Sequence, residues 1–200
     1  MRKIRINIDG YNIKWVIIIT IWTFFLAVGM SFSSEIVLKN VNIVTAFIIL
    51  IMIIFIGIIF DLIGIAVASA REKPFHSMAA NKIIGAKYAV KLVRNAGPVS
   101  NFCNDVIGDI CGIVSGAAAA IIILQIRKLS NLNIPYLSVI LSGLVAAITV
   151  GGKAIGKEIA LKKSKEIVFR VGKILYYVYN KFGIDFLPKK RNVRINQKER

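Results

Sequence analysis

The sequence predicts an all-α integral membrane protein: four transmembrane helices with amphipathic juxtamembrane belt helices. Three observations carry that prediction. The chain is 56% hydrophobic with a mean hydropathy of +0.70, whereas soluble chains sit near ~45–50% apolar on a broader count that includes glycine. Residues 43–60 hold no Asp, Glu, Lys or Arg, and a bilayer core of about 30 Å needs about 20 such residues as a helix. The 27 basic residues, set against 10 acidic ones, are unevenly spread along the chain, as the positive-inside rule requires of cytoplasmic loops.

The first element is an apolar run over residues 15–32, preceded by Arg2, Lys3, Arg5 and Lys14. A signal peptide has the same charge order. The run is longer than a usual signal core, no small-x-small cleavage site follows it, and Trp15 at its mouth suits an interfacial anchor. It reads as a retained first helix. A polar loop over 33–42 leads to the second run, 43–70, which exceeds what a straight span needs and is interrupted by Asp61. Such a segment tilts or ends in a different element.

Residues 71–97 are polar, yet Ile83, Ile84, Tyr88, Leu92 and Val93 recur at helical spacing among Lys82, Lys87, Lys91 and Arg94. That pattern predicts an amphipathic helix at the membrane surface. The third span covers about 98–126. Its first half carries Asn101, Asn104, Asp105, Asp109 and the glycines 108, 112 and 116; residues 117–124 are wholly apolar. A fourth span over 134–152 is followed by a second basic amphipathic helix at 157–183, with Ile167, Val171, Ile174, Leu175, Val178 and Phe182 as its stripe. The basic tail from 185 to 200 is expected to be disordered.

Four spans with the N terminus inside place 24 of the 27 Lys and Arg on the cytoplasmic side. Both termini are then cytoplasmic, and the protein is a multi-pass protein of the cell membrane. The same asymmetry accounts for the net charge of +17 without nucleic acid, and attraction to anionic lipid suffices, at about 1 kcal/mol per basic residue near the surface. Cys103 and Cys111 read as small buried hydrophobes. His76 stands alone in a loop beside Pro74. With no nucleophile–base constellation and no Gly-rich phosphate loop, the chain does not read as an enzyme.

Ionisable groups inside a membrane are costly, about 2.5–3.5 kcal/mol for an Asp at a helix centre, and they usually face a bundle interior or a water-filled cavity. Asp61 and Asp109 are the two such groups, with Asn104 and Asp105 near the second. The charge-derived topology puts both in the cytoplasmic halves of their spans, at comparable depth. Two carboxylates and an amide are hard oxygen ligands of the kind Mg²⁺ accepts. The three glycines permit close helix approach, or a broken helix whose freed carbonyls line a cavity. The plainer alternative leaves Asp61 hydrated near the interface and the glycines as ordinary packing positions.

From residue 60 onward, Phe60-Asp61 with Ser69 and Arg71, the helical stretch 81–95, Pro98, Ile107-Gly108-Asp109-Ile110, and Gly152 with Lys157 and Ala160 follow one another in an order and spacing that resemble the transmembrane domain of the CorB/CorC/cyclin-M magnesium transporter family. Phe60-Asp61-Leu62-Ile63-Gly64-Ile65-Ala66-Val67-Ala68-Ser69-Ala70-Arg71 falls on that family's FSxxETALTSxSR pattern, residues 81–95 on its belt helix, and Pro98 on the proline before its next helix. Ile107-Gly108-Asp109-Ile110 falls on IGNN, and residues 152–162 on the closing GExxPKxxAxR, keeping Gly152, Lys157 and Ala160. The resemblance covers about 43–170 and divides the chain into an N-terminal tail, extra helix and loop (1–42), a CorB-like membrane domain with belt helices (43–184) and the basic tail (185–200). It implies a homodimer that binds or moves a divalent cation, Mg²⁺ first. The ion would lie at Asp61, Asp109, Asn104 and the Gly108 backbone, Asp61 and Asp109 standing where the family has Ser and Asn. Gly64, Ile110, Lys153 and Gly156 depart from the family's Glu, Asn, Glu and Pro. The second reading is a non-transporting membrane scaffold or accessory subunit that binds anionic lipid or a partner protein.

Overall fold

The computed structural model describes residues 13–130 and 136–183, and all of its described regular structure is helical. The N-terminal tail, the side chains of Trp15 and Phe182, and the tail 185–200 lie outside the described residues. In order come α1 (Ile13–Lys39), α2 (Ile43–Ser69), α3 (Lys73–Ala80), α4 (Ala86–Arg94), α5 (Ala96–Asn101), a π-helical segment (Phe102–Gly108), α6 (Asp109–Ser130), α7 (Leu137–Lys162) and α8 (Ser164–Phe182). Among the described residues four helical stretches are long and apolar enough to cross a bilayer: Ile17–Lys39, Ile43–Ser69, Ala96–Arg127 and Ser138–Lys162. The chain is a helical, multi-span membrane protein.

Contacts divide the chain into two compact units, each discontinuous in sequence: Met1–Asp61 with Phe102–Gly156, and Leu62–Asn101 with Lys157–Arg200. In the first unit, Leu38, Ala46, Leu50 and Ile54 pack with Ala118, Ala119 and Ile122. A second cluster joins Val106, Ile110 and Val114 to Ile19, Leu26 and Ala27 of α1, so α1 is seated on α6. Two threonine hydroxyls within the spans are satisfied locally. Thr23 and Thr149 donate to the carbonyls of Ile19 and Val145, each at 2.8 Å, which is how a polar side chain is tolerated without water.

α1 runs past the predicted polar loop at residue 33 to Lys39. The reason is local: Glu35 and Lys39 pair one turn apart at 2.6 Å, a spacing that supports helix continuation. Asn42 then starts α2, its Oδ1 accepting from the Thr45 backbone N–H at 2.9 Å as an N-cap does. Gln125 on α6 holds this turn by donating to the Leu38 carbonyl at 2.8 Å.

The second unit is built on Ala66, Val67, Phe75, Ala89, Val90, Leu92, Ala160 and Val168, all buried. Of the surface helix expected over 81–95, the structure forms α4, opened by Gly85 at φ +85°, while residues 81–85 are the turn that joins it to α3. α4 lies against α8 with no room at the crossing. A Cβ built on Gly172 would sit 2.8 Å from the Gly85 carbonyl and 2.9 Å from the Ala89 nitrogen. α8 begins later than the sequence suggests, because α7 continues to Lys162 before the chain bends at Lys163. Its buried positions are Val168 and Gly172, both outside the predicted stripe; of that stripe Ile167, Val171 and Leu175 pack partly buried on the core, whereas Ile174 is exposed. Lysines on both helices lie over rings, Lys91 over Tyr88 and Lys173 over Phe169.

His76 lies within α3 and is partnered. Glu72 accepts from Arg94 Nε at 2.5 Å and lies 2.6 Å from His76 Nε2. The hydrogen bond from Arg94, and then that from His76, holds the Glu72 carboxyl below its usual range. A depressed carboxyl contributes stability above its unfolded value and loses it as pH falls through the folded value. The melting temperature of the wild type in detergent should therefore fall below about pH 4.5 more steeply than that of Glu72→Gln. Parallel pH profiles would show that this exposed cluster contributes nothing.

Candidate functional site

The site is assembled by a stripe on α2. Buried positions recur at Ala46, Leu50, Ile54, Gly57 and Asp61, at the three- and four-residue spacing of one helix face. Asp61 is thus on the packed side of an otherwise apolar helix. Its neighbour across the interface is fixed by glycine. A Cβ on Gly57 would stand 2.9 Å from Cys111 Cβ, and one on Gly108 would stand 3.1 Å from Asp61 Oδ1. One turn apart on α2, Gly57 and Asp61 bring that helix against 108–111 with the carboxylate touching backbone. Gly112 and Gly116, read from the sequence as further close-approach positions, have nothing within 4 Å of a built Cβ. Cys103 and Cys111 are buried, free thiols.

α7 completes the arrangement. Gly152 accommodates the end of Ile58, whose Cδ1 takes up the space that a Cβ would need. The next residue, Lys153, turns its ammonium into the gap between the carboxylates. Lys153 Nζ is 3.9 Å from Asp61 Oδ1 and 3.9 Å from Asp109 Oδ1, and it donates to the Gly108 carbonyl at 3.5 Å. The Asp61 side chain is 8% exposed, that of Lys153 22%, and that of Asp109 68%. One carboxylate is buried, the other opens to the surroundings, and the ammonium lies between them.

These contacts are long. A hydrogen-bonded ammonium–carboxylate pair closes to about 2.7–2.9 Å. Here three oxygens, from α2, the last residue of the π segment and the first of α6, surround the cation without gripping it. The π segment lies in the stretch where the sequence allows either close helix approach or a broken helix. Its wide turns replace α hydrogen bonds over Phe102–Gly108, and such turns inside helices are frequent at functional sites. Asn104 lies within it, half-buried, and Asp105 is exposed.

No family model, curated protein or solved structure matches this chain. Among the described residues no group of three or more His, Cys, Asp and Glu side chains is placed to hold a metal. The donors that do converge are two carboxylates and one carbonyl. Mg²⁺ commonly retains several waters and takes one or two carboxylates, so the set suits a partly hydrated ion. Two apolar grooves, of about 450 and 330 Å³, run along α1; neither is lined by Asp61, Asp109 or Lys153.

Lys153 is the residue sequence reasoning missed. It appears there as one of fourteen basic residues after the fourth span and as a departure from the family's Glu. The available signal was its position directly after the Gly151-Gly152 pair of an apolar helix, within reach of the two intramembrane aspartates.

Proposed function

We propose that this protein binds a divalent cation within its membrane domain, Mg²⁺ being the ion its donors suit best, and handles it in the manner of the magnesium transporters it resembles in sequence. The observation that supports this reading is the loose cage: a buried aspartate on an apolar span, a second aspartate and a backbone carbonyl, all 3.5–3.9 Å from one shared cation position. Ionisable groups at membrane depth generally mark ion pathways, and a cage that does not close on its occupant can exchange it, as conduction requires. Cytoplasmic termini, a homodimer, and belt helices α4 and α8 resting on anionic lipid belong to the same reading.

The test is Mg²⁺-dependent thermal stabilisation of the purified protein in detergent, beside Asp61→Asn and Asp109→Asn. A shift that saturates in the wild type and is lost in both variants is expected. A wild type indifferent to Mg²⁺ would favour the second reading, a scaffold or accessory subunit binding anionic lipid or a partner. That reading also has an observation behind it, since Lys153 already supplies the aspartates with a positive charge.

A further inference from the structure

The geometry points to Lys153 as the resident cation of this site: its ammonium occupies the shared position between Asp61, Asp109 and the Gly108 carbonyl, and competes with a divalent ion for it. The inference rests on the cation-site reading above and adds what sets the site's affinity.

The argument begins with charge. Asp61 and Asp109 together carry −2, and Lys153 brings the group to −1. A dication entering beside a retained lysine would leave +1 in surroundings where one neighbour, Asp61, is almost wholly buried, and uncompensated charge is costly at low dielectric. A dication that replaces the ammonium leaves the group neutral. Exchange is therefore favoured over addition, and lysine and dication exclude one another.

The contacts allow that exchange. Lys153 makes no hydrogen bond to either carboxylate, since both separations are 3.9 Å; among the described residues its hydrogen bond is the 3.5 Å one to Gly108. A lysine ammonium is a compact point charge on a flexible four-carbon stem, and its side chain is already 22% exposed. The Asp109 carboxylate is 68% exposed, so an ion can reach it without passing through the packed interior. Lysine also explains how two carboxylates can share the site with no metal bound. Two carboxylates sharing a site repel one another, and the ammonium relieves that repulsion while no metal is bound.

The experiment measures Mn²⁺ binding from the loss of the free-ion paramagnetic resonance signal, a readout separate from stability. It compares the wild type, Lys153→Met and Lys153→Arg in detergent, each also titrated with Mg²⁺ as competitor. Lys153→Met is expected to bind Mn²⁺ about tenfold or more tightly than the wild type, as removal of a like charge at about 4 Å implies. Lys153→Arg keeps the charge and is expected to stay weak, which separates competition by charge from loosened packing. Equal affinity in all three would overturn the competition and leave the cation site standing. Tighter binding by Lys153→Arg as well would overturn it too, by showing that charge is not the cause. If neither the wild type nor Lys153→Met binds Mn²⁺, the site reading falls and the inference with it. A silent wild type beside a binding Lys153→Met would support the competition in its strongest form, with the lysine holding the site closed.

Discussion

Gly172→Ala is expected to be among the most damaging single-methyl changes in the described structure, beside Gly85→Ala at the same crossing. Its added carbon would lie 2.8 Å from the Gly85 carbonyl oxygen and 2.9 Å from the Ala89 nitrogen. Both are backbone atoms, and neither can turn aside as a side chain end would. Relief requires α8 to move off α4, which would loosen the packing around Ala89 and Val168. Overpacking costs about 1–3 kcal/mol where side chains can adjust; with backbone on the other side, about 3 kcal/mol or more is the expected loss. For a chain of this size that is a fall in melting temperature of roughly 6–12 °C. Gly97→Ala is the control, because nothing lies within 4 Å of its Cβ position. Equal melting curves for the two variants would mean that α4 and α8 do not cross at Gly172.

The second large effect concerns Lys153 without metal. Lys153→Met leaves Asp61 buried and without its cation. Removing one partner of a buried pair, or leaving an aspartate alone at membrane depth, costs about 3 kcal/mol. The variant should unfold at lower temperature in metal-free detergent solution, and Asp61→Asn added to it should recover most of the loss. Asp109→Asn should recover little, because that carboxylate is 68% exposed and exposed pairs are worth about 0–1 kcal/mol. A double variant no more stable than Lys153→Met alone would show that the Asp61 charge is compensated by something other than the lysine.

Much of the fold was legible because the bilayer imposes a long, simple signal. The charge-free run at 43–60 and the apolar run at 117–124 mark spans on composition alone. Helix ends were harder, since they are decided by single contacts. α1 passes Ser33 because Glu35 and Lys39 pair within it, and α7 passes Gly152 into what reads as a separate basic segment. The site was legible in part. Asp61 and Asp109 are conspicuous as carboxylates among hydrocarbon, and they do approach one ammonium. Lys153 was hidden by the same rule that revealed the topology: once lysines are counted as cytoplasmic, a lysine turned inward looks like every other. The partners of His76, four residues before it and eighteen after, depend on a turn between α3 and α4 that hydrophobic periodicity does not specify.

The seven π-helical residues also change how the third span keeps phase. An α-helix advances about 100° per residue, while a turn closed by i→i+5 bonds takes in more residues for the same rotation. Within the first unit, Asn104 is therefore not on the face that an α-helical count back from Asp109 or Cys111 would assign to it. The segment works as a rotary offset at the start of α6. A substitution pattern read on one uninterrupted helical wheel from residue 102 to 127 would merge positions that the π turns set apart.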